Sequence, residues 1–413
     1  MNAKYKQKDI LTAIMLFFIL RPSILMVIPH MYTVFNVVLL GGLIMMFFRN
    51  HKHVKHNKLF LSFTVLESFI LLITIINSGY YQGAVNKMTE TLLLICLICS
   101  YENDMFRFIK ITYHELEILI YLNLITLILV PEGLVHIQID DYWYGTANQW
   151  VIGVPNTFIY WLFPMAVISI LLTYLDYKNK VRYFASMLAV IGTEIINGSG
   201  TGKIMIILYI AIIFLPLIKR FISTRSILIA SAFAFITIVI TRSYEILAPI
   251  IQNFLHKEMT LTNRVYIWDN VLREIAEKPI IGNGLLTGDD MIQRIGMFLG
   301  VLHGGSTHAH CHYLQILFEG GFIGFALFVN IYILLIKRTS KIRDSKAVRA
   351  VVVGLLVFSI GAVVEVFDYA TMYLVFMLVY FAPEISRIEQ TVTAVQFAVP
   401  TGHKNRTMPY KER

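Results

Sequence analysis

Charge is scarce in this sequence. Asp, Glu, Lys and Arg make up 15% of 413 residues, against 57% hydrophobic residues. That scarcity excludes a soluble globular protein, because so much apolar surface cannot be hidden in one water-surrounded core. Cysteine is scarcer still, at three residues, and Cys96 and Cys99 fall inside a single apolar run, so no disulfide framework is implied. No small-residue cleavage site follows the first apolar run behind MNAKYKQK, which is therefore expected to be a retained helix and not a removed signal peptide. A folded, basic, soluble face is also missing, which excludes nucleic acid as a partner despite the formal charge of +9.

What the chain has in abundance is long apolar runs. A bilayer core of about 30 Å calls for roughly 20 apolar residues per helix. About twelve such runs lie near 10–29, 31–48, 59–77, 84–100, 109–130, 156–175, 182–197, 203–218, 226–241, 314–336, 347–366 and 369–386. The expected fold is an all-α polytopic membrane protein, residues 1–413 forming a single integral membrane domain. Basic residues set its orientation, since loops rich in Lys and Arg stay in the cytoplasm. Lys4, Lys6 and Lys8 begin the chain, and the segment RNHKHVKHNK (49–58) holds four cations and no acid. Later returns are DYKNKVR, KRFISTR, KRTSKIRDSK and the tail, and about 26 of the 35 Lys and Arg fall on this side. The bias implies twelve crossings of the cell membrane with both termini cytoplasmic.

On that map NGSGTGK (197–203) is an outer turn between the seventh and eighth runs. It imitates a Walker A loop, but Asn197 and Ile204 stand where a glycine and a Ser or Thr are needed, and ATP is scarce outside a cell. Two readings remain: a tight glycine hairpin with Lys203 snorkelling to the interface, or a small anion site built from backbone N–H groups, Ser199, Thr201 and Lys203.

The largest non-membrane segment, 242–313, is an outer loop far longer than ordinary helix connections. Within it, TLTNRVYIWDNVLREIAEKP has Val265, Trp268, Val271, Leu272 and Ile275 at helical spacing, with Pro279 as a stop. A second amphipathic piece runs from about Asp289 to Leu302 and ends at Gly304-Gly305. Both are expected to lie across the helix ends and cover a cavity. Arg264 opens the first, where its guanidinium could hold a phosphate bidentately or pair with Asp269 or headgroups. The loop closes on STHAHCHYLQ. Helical spacing would put His308 and His312 on one face and His310 elsewhere. Interfacial packing, a zinc site without a familiar ligand set, and a general base are the three readings of these histidines.

These residues carry a resemblance. His310-Cys311, nine residues, then Gly321-Phe322-Ile323-Gly324 is similar to the histidine motif of the O-antigen ligase and O-antigen polymerase family. So are Asn263-Arg264-Val265-Tyr266-Ile267-Trp268 with the following KPIIGNG (278–284), and VPNTF (154–158). The chain is most like a Wzy-type polysaccharide polymerase, strongest over 150–330. The resemblance implies inverting transfer of glycan from a polyprenyl-diphosphate carrier on the outer membrane face, without cofactor or metal. Arg264 would stabilise the diphosphate leaving group, and His310 would take the acceptor's proton. Lys203, Ser199, Thr201, Asn156, His308, His312, Gln315 and Trp268 would bind diphosphate or glycan. Lys203 stands where many relatives carry an arginine, and Cys311 where Asn is usual. Undecaprenyl-diphosphate-linked oligosaccharide would be donor and acceptor, membrane lipid the surrounding partner, and flippase and chain-length regulator proteins further candidate partners. Lys-, Ile- and Asn-rich composition favours a capsule or exopolysaccharide polymerase over a ligase. A lipid-linked glycan flippase or transporter is the competing class, for which internal repeats would be expected and none is visible.

Overall fold

The computed structural model describes residues 3–138, 146–215, 223–242, 264–298, 301–302, 306–342 and 344–398. Among the described residues, each of the twelve apolar runs overlaps a helix. In chain order these are α1 (Ala3–Leu20), α2 (Met31–Val54), α3 (Lys58–Ile76), α4 (Tyr81–Cys99), α5 (Met105–Leu129), α6 (Ile159–Leu175), α7 (Lys180–Asn197), α8 (Gly200–Phe214) and α9 (Thr224–Phe235). The long loop then contributes α10 (Arg264–Glu277) and α11 (Gly288–Ile295), before α12 (His312–Thr339), α13 (Lys346–Gly361), α14 (Ala370–Tyr380) and α15 (Ala382–Ala398). By length and composition, five helical stretches among the described residues could each cross a membrane: Met31–Val54, Lys58–Ile76, Glu102–Leu129, Pro155–Leu175 and His312–Thr339. A sixth is added if α14 and α15, bent by 65° at Phe381, act as one. The run at 369–386 is thus a broken helix and not one straight rod. The architecture is that of an all-α polytopic membrane protein. Two short hairpins interrupt it, β1 (Val135–Gln138) with β2 (Thr146–Gln149), and β3 (Met297–Phe298) with β4 (Val301–Leu302).

Helix α6 is the central staff. Nearly all its residues are buried against α5, α7, α13 and α14, which is why it reads as apolar all round. Peripheral helices instead expose large apolar side chains such as Val37, Phe48, Leu188 and Phe233. An apolar outer surface over a core that holds buried Glu67, Glu117 and Glu319 inverts the pattern of a soluble bundle and suits a lipid surround.

Polar contacts sort the helix ends. At one end the starts of α1 and α5 meet the ends of α4 and α6: Lys8 donates to the Ser100 carbonyl, Arg107 Nε donates to Asp9 at 2.7 Å, and Lys110 lies 3.0 Å from Asp176. At the other, the α6 start meets the α1 end, Trp161 Nε1 donating to Leu20 O at 2.9 Å. The start of α12 meets the end of α13 there as well, His312 N donating to Ala362 O at 2.8 Å.

That second end carries the described part of the long loop. Helix α10 packs on α12 with Trp268, Val271 and Ile275 buried, as their spacing predicts, and with Ile267 buried as well, whereas Val265 and Leu272 are only half-buried. Thr287 caps α11, accepting from Asp290 N at 3.2 Å. Between the two helices, KPIIGNG inserts between α3 and α12. The insertion is possible because α12 breaks at Gly321, whose φ of +58° and ψ of −160° leave the helical region. The break frees the carbonyls of Phe318 and Glu319, which accept from Asn283 N at 2.7 Å and Gly284 N at 2.9 Å. Phe322 N in turn donates to Pro279 O at 2.8 Å. A Cβ on Gly321 would collide with the Ile280 carbonyl, so both the dihedral and the close approach require glycine. Gly324 has only ordinary contacts at 3.8 Å and beyond. Thr260 to Asn263 at the expected helix start, the rest of 243–263, and Gly304-Gly305 lie outside the described residues.

Candidate active site

Four side chains converge at the helix end beneath α10. Arg264, the first residue of α10, donates through Nη1 to the Val364 carbonyl, and its Nη2 lies 3.2 Å from Glu365 Oε2. The other oxygen of Glu365 faces two imidazoles, His308 Nε2 at 3.4 Å and His310 Nδ1 at 3.7 Å. The rings of His308 and His310 are 4.2 Å apart. Asp269 is not the partner of Arg264; it pairs with Arg242.

Helical spacing misplaced the histidines. Helix α12 begins only at His312, with Cys311 extended at its N-cap and His310 in a left-handed conformation of φ +46°. His308 and His312 therefore share no helical face. The turn at His310 swings it toward His308, and His312 points into the bundle, wholly buried, with Nδ1 3.4 Å from Phe367 N and Nε2 3.2 Å from the Tyr373 hydroxyl. A left-handed non-glycine residue costs about 1–3 kcal/mol and persists only where its surroundings hold it. Here Gln315 does the holding: its Oε1 accepts from Ala309 N at 2.8 Å while its Nε2 donates to Glu319 at 2.7 Å. Ser306 Oγ also donates to the His308 carbonyl at 2.7 Å.

Burial, with the nearby His308 and Arg264, pushes His310 down to about 4, against the pull of Glu365. The imidazole is neutral at pH 7. Burial alone would raise Glu365, but the two histidines and Arg264 hold it well below the usual carboxylate range. His310 Nδ1 is buried and lies 3.7 Å from that carboxylate, beyond hydrogen-bond length; the negative charge favours a proton on that nitrogen, which would leave Nε2 as the proton acceptor. Burial pushes the Cys311 thiol up to about 12, so it is no thiolate nucleophile. His308, His310 and Glu365 could also present ligand atoms to one metal ion, within 4.8 Å of one another. The fit is poor on charge grounds, since Arg264 already sets a fixed cation against the same carboxylate.

The remaining expected site residues are dispersed. Ser199 caps α8, its Oγ accepting from Gly202 N at 2.9 Å, so the NGSGTGK turn is a hairpin that ends in a helix cap. Its glycines enclose the buried Glu194, whose carboxylate occupies the space a Cβ on Gly198 or Gly202 would need. Lys203 lines a groove of about 370 Å³ with Glu194 and the apolar faces of α7 and α8, and Thr201 is half-buried beside it. Asn156 is exposed on the turn Pro155–Thr157. No hydrogen bond or ion pair among the described residues joins Lys203, Thr201 or Asn156 to Arg264. Trp268 is wholly buried and anchors α10, its Nε1 without a partner among the described residues.

Sequence reasoning missed Glu365. The signal was present, an acid at the end of an apolar run, and an ionisable residue at membrane depth is by default a functional candidate. It also missed a second group beside the first: Lys87 of α4, 3.0 Å from Asp368 and 3.4 Å from Glu319.

No curated protein matches the sequence. Residues 184–329, which include Lys203, Arg264 and His310 and stop short of Glu365, match the family model described as O-antigen ligase.

Proposed function

We propose that the protein polymerises undecaprenyl-diphosphate-linked oligosaccharide repeat units for capsule or exopolysaccharide, by inverting, metal-independent glycosyl transfer on the outer face of the cell membrane. The observation that carries this reading is that an arginine and a neutral histidine meet on one ionised carboxylate, Glu365. Arg264 has five N–H donors, more than Val364 and Glu365 use, and the remainder can grip a diphosphate. As the bond from the anomeric carbon to the diphosphate breaks, its electron pair leaves with the phosphate oxygen beside Arg264. The acceptor hydroxyl attacks the opposite face of the sugar and gives its proton to His310 Nε2 as the new glycosidic bond forms. That proton later passes to water or the released diphosphate. Glu365 keeps the imidazole in the tautomer this requires. Lys203, beside Glu194 in an otherwise apolar groove and apart from Arg264, is a further cation for the lipid, with the prenyl chain lying along α7 and α8.

The description of the matching family favours a second reading, ligation of a finished glycan to a different lipid acceptor. Purified protein incubated with its own lipid-linked repeat unit as sole substrate separates the two. A ladder of polymer, unaffected by a metal chelator, is the expected result. Transfer only when a lipid A core acceptor is added would replace the polymerase with the ligase, and chelator-sensitive activity restored by zinc would move His308, His310 and Glu365 into a metal site.

A further inference from the structure

Glu365 lies four residues before Tyr369 in the connection from α13 to α14, and the residues between lead from the site above to a different polar cluster. Four residues of chain span at most about 14 Å, the length of a short oligosaccharide. Asp368, on that connection, is 36% exposed at its side chain and is held by Lys87 at 3.0 Å. One helical turn along the same face of α4 stands Glu90, 2.6 Å from Arg21 Nη2. Arg21 also donates to Asn36 Oδ1 at 2.7 Å and lies 5.0 Å from the centre of the exposed Tyr32 ring. Tyr369 sits within electrostatic reach of both Arg21 and Glu90, its ring stacked 4.4 Å from Tyr160.

Two features are unexplained if the pair merely neutralises itself. Arg21 follows the last residue of α1 in a left-handed conformation, φ +45°, which turns its side chain into the cluster. Its Nε is buried and has no partner among the described residues, although buried donors are normally satisfied. Each cation here already has a carboxylate, so the cluster holds little net charge with which to attract an anion. It offers instead guanidinium donors, carboxylate and amide acceptors, and the aromatic ring of Tyr32, side by side. That mixture suits a neutral polyhydroxylated ring, whose adjacent hydroxyls both donate and accept and whose C–H face packs on an aromatic side chain.

We infer that Arg21, Glu90, Asn36 and Tyr32 form a distal sugar-binding subsite, which holds the glycan chain beyond the sugar unit that reacts at His310. The inference rests on the glycosyl-transfer reading above and adds where the rest of the glycan lies. The subsite recognises sugar hydroxyls and makes no contact with the diphosphate.

The test uses the full-length protein in nanodiscs and two probes: the oligosaccharide freed from its lipid by mild acid hydrolysis, and farnesyl diphosphate. Loss of one hydrogen bond or stacking partner should weaken oligosaccharide binding about tenfold in Tyr32→Ala and in the isosteric Glu90→Gln. Farnesyl diphosphate binding should be unchanged in both, which also reports that each variant is folded. Wild-type affinity for the oligosaccharide in both variants would overturn the subsite and leave the transfer reading standing. Failure of the wild-type protein to bind either probe would overturn both.

Discussion

At the scale of single residues, the account turns on Glu365. One carboxylate serves three neighbours, pairing with Arg264 and facing His308 and His310. Replacing it with the isosteric glutamine keeps the packing but removes the charge that fixes the His310 tautomer. Glu365→Gln should therefore lower transfer by about 10²–10⁴-fold, the usual worth of general-base help, with the protein still accumulating normally. The pH profile of the wild-type enzyme carries a second mark of the same geometry. Only the neutral imidazole can accept a proton, and burial places its loss of function near pH 4. Activity should hold as pH falls through 6 and drop only as it approaches about 4; an acid limb centred near 6.5 would mean that His310 is an ordinary solvated histidine. Arg264 and His310 could be read in the sequence because each sits at a fixed spacing from glycines and an aromatic in its own local segment. Their common partner could not, since Glu365 lies 101 residues beyond Arg264 and its run averages out as apolar.

At the scale of elements, the position of the site depends on one broken helix. The Gly321 break lets the KPIIGNG segment hydrogen-bond into α12 and so fixes the exit of α10, whose first residue is Arg264. Gly321→Ala would have to hold an alanine at φ +58° against the Ile280 carbonyl. It should cost about 1–3 kcal/mol, seen as a lowered melting temperature in detergent and a loss of activity. Gly324→Ala should be close to neutral, because its nearest neighbours stand at ordinary contact distance. Equal effects of the two would show that the break does not position the loop. Apolar runs and amphipathic spacing were enough to locate the helices, since burial and lipid exposure both follow hydropathy. They could not reveal that α12 starts at His312, because periodicity continues through a chain that has already left the helix. The left-handed turn at His310 is imposed by Gln315 and Ser306 from outside it.

For the whole molecule, the distribution of charge matches the division of labour. The end where α1 and α5 begin and α4 and α6 finish gathers Lys8, Arg107 and Lys110 with their acids, a cationic rim expected on the cytoplasmic side. The opposite end brings Arg21, Lys87, Arg264 and the histidines to the carboxylates of Glu90, Asp368 and Glu365, where the proposed transfer would take place. The overall helical class was legible because it is an average over many residues. The grouping itself was not, because it assembles side chains from the end of α1, α4, the start of α10, the segment before α12 and the connection to α14, which lie far apart in the sequence.

The most direct test of the central claim is the initial rate of glycan transfer by purified His310→Ala protein with its lipid-linked repeat unit. Loss of a general base of this kind should lower the rate about 10²–10⁴-fold, while farnesyl diphosphate still binds through Arg264. A His310→Ala protein that builds polymer at the wild-type rate would contradict the account.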